Sequence, residues 1–139
     1  MIDALLEQMK QWFMQLNVQG WAYANLVGQD RWETSWTPAR TGWTDVGTPT
    51  VTGRFRIVGR KCEFQQRVVP GTTVATTAGT SYTNLPVAAT GLAGSVTMFN
   101  ATTNVAVGVG GIDVTNSRCY VPTQAASGNT FLISGWIEV

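Results

Sequence analysis

The stretch Val51–Val69, VTGRFRIVGRKCEFQQRVV, holds five of the chain's nine basic residues: Arg54, Arg56, Arg60, Lys61 and Arg67. Successive side chains of a strand point to opposite faces, so Val51, Phe55 and Ile57 fall on one side and Arg54 and Arg56 on the other. Gly59-Arg60 then supplies a two-residue turn with glycine first, as a type II′ hairpin prefers. On the return strand Cys62, Phe64, Gln66 and Val68 share one face, and Lys61, Glu63, Gln65 and Arg67 the other. The basic cluster therefore reads as the solvated face of a β-hairpin, with Glu63 set among the cations. A grip on phosphates would want more charge and exposed aromatic rings on that face. No nucleic-acid partner is expected.

The rest of the composition agrees with a binding or structural role. The chain has 139 residues, 44% of them hydrophobic, which is enough for one domain core with a short appendage. Only 12% are charged and the net charge is +1, about half the usual ~25% for soluble domains. A surface so weakly charged favours association, so an obligate oligomer or a component of a larger assembly is expected. No run of apolar residues is long enough for a membrane span, so no membrane insertion is expected, and the opening MIDALLEQMKQWF does not read as a secretory signal. Histidine is absent, which removes the commonest general base and metal ligand. Cys62 and Cys119 read as two buried thiols, with a disulfide the lesser alternative; two thiolates without histidine do not complete a zinc shell. The acids Asp30, Glu33, Asp45, Glu63, Asp113 and Glu138 offer no convincing pair for glycoside hydrolysis, and no serine or cysteine has a histidine to activate it. No catalytic residue, metal or cofactor is expected.

Ahead of the hairpin, Ile2, Leu5, Met9, Trp12 and Leu16 recur at spacings of three and four, the pattern of a helix with one apolar stripe that Leu6 and Phe13 widen. Such a stripe needs a cover: the chain's own β domain, symmetry mates or another protein. Half of the aromatic residues lie in the first 43 positions, among them Trp21, Trp32, Trp36 and Trp43. Tryptophan at this density reads as an anchor, although Trp36 and Trp43 suit equally well a plug at the end of the β domain. Beyond the hairpin, Val68 to Ile112 contains no Asp, Glu, Lys or Arg. Part of that stretch reads as threonine-rich strand surface, and part as a neutral interface between identical copies. Strands are expected at Tyr82–Leu85, Gly94–Phe99, Val105–Val109, Arg118–Val121 and Thr130–Val139, with turns at Pro70-Gly71, Gly91, Gly110-Gly111 and Ser127-Gly128-Asn129. Short strands without intervening helices point to an all-β antiparallel sandwich or jelly roll behind an N-terminal helix. Sugar binding would fall to Tyr82, Phe99 and Tyr120 with Asn84 and Asn104; edge packing for the rings and turn formation for the asparagines are the alternatives.

Three stretches carry a resemblance: Trp36-Thr37-Pro38, then Gly47 through the hairpin to Phe64, and the closing FLISGWIEV at Phe131–Val139. Together they resemble the trimeric β-sandwich head domains of tailed-bacteriophage fibre and receptor-binding proteins, over Ser35 to Val139. In those domains an aromatic-x-Pro opening leads to a Gly-Arg-aromatic strand, a tight turn and a second strand, and the chain ends on an Ile-Ser-Gly strand. The resemblance implies a homotrimeric virion surface protein, made in the host cytoplasm. Residues 1–35 would form the helix and tryptophan-rich anchor, and 36–139 the head. Trimerisation and seating on another virion protein would then use Ile2, Leu5, Leu6, Met9, Trp12, Phe13, Leu16, Trp21 and Trp32. Two roles fit: a short tail fibre or receptor-binding tip that adheres to host surface glycan, or a capsid decoration protein that clamps coat subunits. Fibre proteins usually carry a long shaft, whereas the helix here reaches only about 25 Å.

Overall fold

In the structure, a computed structural model, residues 2–12 and 31–139 are described. The chain divides into two compact units, residues 1–31 and 32–139. In the first, residues 2–12 are helical. The expected continuation of the helix through Leu16, and the positions Phe13 and Trp21, lie outside the described residues.

The hairpin in the second unit forms as its alternation requires. β3 (Thr50–Val58) pairs antiparallel with β4 (Lys61–Val69) in unbroken register from Thr50↔Val69 to Val58↔Lys61. Gly59 has φ 62° and Arg60 keeps a negative φ, the sign pattern of a turn with glycine first. Inward, Cys62, Phe64, Gln66 and Val68 are all buried; outward lie Arg54, Arg56, Lys61 and Arg67.

On the other side of β4 lies β12 (Phe131–Glu138), followed by β7 (Val96–Asn100) and then β8 (Val105–Gly110), giving a five-stranded antiparallel sheet in the order β3-β4-β12-β7-β8. Phe131, Ile133, Ile137, Val96 and Met98 extend the buried face. The opposite face of β12 is partly covered within the chain. Leu132 is 40% exposed, while Trp136 is half-buried against Gly94.

The remaining strands are short. β1 (Arg40–Thr41), β6 (Tyr82–Asn84), β10 (Arg118–Tyr120) and β9 (Ile112–Asp113) form one sheet, in that order. β11 (Gln124–Ser127), β5 (Thr73–Thr76) and β2 (Thr44–Val46) form another. The same three chain segments run through both, each interrupted once. The first breaks at Gly42, where φ is 74°, the second between Thr76 and Tyr82, and the third between Tyr120 and Gln124. Val74, Thr83 and Cys119 from these sheets, and Val121 just after β10, are buried, the apolar ones in one cluster with Phe64, Met98 and Ile133. Gln66 Nε2 donates to Thr83 Oγ1 across that core at 2.7 Å. Gly110 lets β8 approach the Tyr120 carbonyl more closely than a side chain would allow. The described residues are thus mostly β, half of them in strands of three antiparallel sheets, an arrangement compatible with a sandwich.

The compact unit begins at Trp32, ahead of the expected boundary at Trp36, because Glu33 extends the sheet by exchanging two backbone hydrogen bonds with Phe55, at 2.7 and 3.0 Å. Trp36 is buried over Gly53, edge-on to Phe55 and Phe64 at 6.5 and 6.1 Å between ring centroids. Trp43 donates from Nε1 to the Tyr82 carbonyl at 3.2 Å. Both pack within the β unit, as the plug reading required.

Cys62 and Cys119 are free and buried. Burial pushes the Cys62 thiol up to about 11, with the Glu63 charge adding to the effect, and the Cys119 thiol up to about 12. Reaction runs through the thiolate, so Ellman's reagent at about pH 8 should modify neither cysteine at a rate within about 100-fold of a free thiol. In guanidinium both should react at once, and the two absorbance traces measure the difference.

Candidate functional site

The outward face of the five-stranded sheet carries the basic cluster, and its side chains are held in place. Arg54 donates to Gln65 Oε1 from Nε and Nη2 at 2.8 and 2.5 Å. Arg56 Nε lies 2.7 Å from Glu63 Oε2, and Lys61 Nζ 3.2 Å from Glu63 Oε1. The sequence pattern put no aromatic ring on this face, and here the fold corrects it. Trp32 lies under the guanidinium groups of Arg54 and Arg56, 4.6 and 4.9 Å from its ring centroid, and Trp136 lies under Lys61 at 5.4 Å. Trp32, expected in the anchor, is therefore packed within the β unit. Cations lie over both rings, which ties the rings to the hairpin's own side chains.

The hydrogen bond from Arg56, and then that from Lys61, holds the Glu63 carboxyl below its ordinary 4.5. A depressed folded-state pKa contributes stability above the unfolded value, and that contribution is lost as pH falls through the folded one. Glu63→Gln should therefore lower stability slightly above about pH 4.5, by less than about 1 kcal/mol for so exposed a network. The difference from wild type should close in more acidic buffer, as read by urea titrations across pH.

Between Arg54, Arg67, Phe99, Leu132 and Ser134 the same face dips into a groove of about 650 Å³. The strand register brings these residues together: Arg67 stands opposite Leu132 and Leu132 opposite Phe99, with Gln65 opposite both Arg54 and Ser134 on the next rung. Arg67 forms no ion pair or hydrogen bond among the described residues.

The predicted sugar-contacting residues divide between two surfaces. Tyr82 and Asn84 project outward from β6, and Tyr120 from the paired β10. The tyrosine rings are 5.3 Å apart between centroids, tilted by 57°. Arg118, which the sequence pattern did not single out, completes this cluster. Its guanidinium lies 4.5 Å over the Tyr82 ring and its Nη1 donates to Tyr120 Oη at 3.5 Å. That hydrogen bond pushes its high pKa further up. Opposite Arg118, Asp113 caps the following turn by accepting from the side chain and backbone of Asn116, and these bonds, the side-chain one foremost, lower its pKa. Asn84 Oδ1 accepts the Ala39 amide at 2.6 Å, so part of its capacity is structural. Phe99 lines the groove on the five-stranded sheet instead. Asn104 forms the β7–β8 turn with φ 58°, a conformation asparagine tolerates.

On the helix, Ile2, Leu5, Leu6, Met9 and Trp12 are between 47% and 74% exposed. Among the described residues no three His, Cys, Asp or Glu side chains are placed to hold a metal ion, and no helix is long and apolar enough to cross a membrane. Comparison of the chain with protein-family models, with curated proteins and with solved structures finds no match.

Proposed function

We propose that the chain is a structural protein of a tailed-bacteriophage virion: a homotrimeric jelly-roll knob seated on another virion component through its N-terminal segment. Its role is that of a short tail fibre or receptor-binding tip, with host surface glycan meeting the Tyr82, Tyr120 and Asn84 cluster. The observation that carries the reading is the stripe of Ile2, Leu5, Leu6 and Met9, exposed along the helical residues 2–12 of a unit distinct from the β unit. Large apolar side chains exposed along one helix support burial against other chains. Capsid decoration is the second reading. It draws on Val105 and Val109, 60% and 66% exposed on the outermost strand β8, which carries no charge to discourage pairing.

Sedimentation at micromolar concentration tests the assembly, and imaging of labelled protein on intact particles distinguishes tail from head. The wild-type chain should run as a trimer. Replacing Leu5, Met9 and Trp12 together with serine should abolish incorporation into particles while the β unit keeps its circular dichroism. A monomeric wild-type chain, or normal incorporation of the variant, overturns the reading.

A further inference from the structure

We propose that the groove on the outward face of the five-stranded sheet binds an acidic saccharide, a pyranose unit bearing a carboxylate. The assignment rests on the reading of this protein as a host-adhesion protein, and the chemistry of the groove supplies the rest. Its floor is apolar, formed by Phe99 and Leu132, and suits the C–H face of a sugar ring. Its rim is rich in donors, Arg67, Arg54, the Gln65 amide and the Ser134 hydroxyl, and holds no acid among the described residues. Arg54 is fixed on Trp32 and spends Nε and Nη2 on Gln65 Oε1, which leaves Gln65 Nε2 as a donor. Arg67, without a partner among the described residues, presents a whole guanidinium fork to a carboxylate.

Geometry disfavours two other anions. An extended acidic peptide binds a sheet by adding to an edge, where backbone groups are free. The centre of this groove lies on β4 and β12, interior strands whose backbone is paired on both sides, and at the β3 edge Phe55 already exchanges two backbone hydrogen bonds with Glu33. A single-stranded nucleic acid wants a row of rings for successive bases, and among the described residues this groove offers Phe99 alone, Trp32 and Trp136 lying under Arg54, Arg56 and Lys61 outside it.

Isothermal titration of the full chain with trigalacturonate and with sialyllactose tests the assignment. At least one acid should bind, and its methyl ester should bind about tenfold or more weakly. Arg67→Gln should cost about tenfold in affinity for the acid and little for the ester. Leu132→Asp, which sets a negative charge in the groove, should abolish binding with circular dichroism unchanged, whereas Ala125→Ser on β11 should bind as wild type. No binding of either acid, equal affinity for acid and ester, or undiminished binding by the Leu132→Asp protein overturns the proposal. So does equally effective competition by hexaglutamate or oligo(dT), or a Leu132→Asp variant that changes sedimentation and not binding, which would make the groove a contact between copies. Adhesion is read separately with labelled protein on host cells. Cell binding that ignores both groove variants overturns the groove's part in adhesion and leaves adhesion through the Tyr82 and Tyr120 cluster standing. Acid-selective groove binding without cell binding supports the groove and removes adhesion.

Discussion

Truncating Phe64 to alanine should lower the unfolding free energy by about 4 kcal/mol, the range for a large ring removed from a core that relaxes only in part. Phe64 is fully buried at the centre of β4, with Phe55 opposite it on one side and Gly135 on the other. Its ring lies over Gly135 so closely that a Cβ there would stand 2.7 Å from Cζ. Glycine in an interior strand is otherwise unfavourable, and here the ring fills the place of the missing side chain. Gly135→Ala alone should therefore cost about 1–3 kcal/mol through overpacking. In the Phe64→Ala background the same change meets an empty space. The double variant should be more stable than the two single losses predict, by about 1 kcal/mol or more. Urea titration of the four proteins measures the cycle, and strict additivity would show that the ring and the glycine do not share this space.

The second large effect is expected at Gly53, in the middle of β3. A Cβ on this residue would lie 2.5 Å from Trp36 Cε3 and 2.8 Å from the Pro38 ring. Neither neighbour yields easily, because Trp36 is held edge-on to both Phe55 and Phe64. Gly53→Val should cost about 3 kcal/mol or more, by overpacking and by pushing Trp36 out of the core. Loss of near-ultraviolet circular dichroism ahead of the main unfolding transition would report that displacement. Gly111 is the control: nothing lies within 4 Å of its would-be Cβ and its φ is not positive. Gly111→Ala should stay within about 0.5 kcal/mol of wild type. Equal losses at Gly53 and Gly111 would mean that Trp36 does not depend on the bare glycine surface.

Both predictions depend on pairings that are non-local in sequence, and this is where the local pattern ran short. The strands that alternate strongly, β3, β4 and β12, were legible with their faces and turns, since a period of two in large side chains marks a strand with a buried face. β1, β2, β5, β9 and β11 escaped. They are two to four residues long and built mainly from Thr, Ala, Gln, Asp and Ser, and their burial follows from neighbours rather than from composition. In β5 only Val74 is a large apolar residue, yet Thr76 is buried too, its hydroxyl donating to the Pro122 carbonyl at 2.7 Å. The tyrosine cluster was half legible. Rings at Tyr82 and Tyr120 drew attention as aromatics in edge segments, whereas Arg118 gave no local signal and joins them only through the β6–β10 register.

The amino-acid order alone determined that an amphipathic helix precedes a β-rich body. It also determined that Val51–Val69 folds back on itself with its cations outward, and that Cys62 and Phe64 point into a core. These features follow from periodicity, turn chemistry and side-chain size, all of which act within a few residues. Tertiary structure alone decided that Trp32 lies beneath two arginines, that Trp36 seals a bare glycine, and that Arg67, Leu132 and Phe99 line one groove. Each of those is a meeting of residues far apart in the chain, set by strand order and register, and no local pattern encodes it.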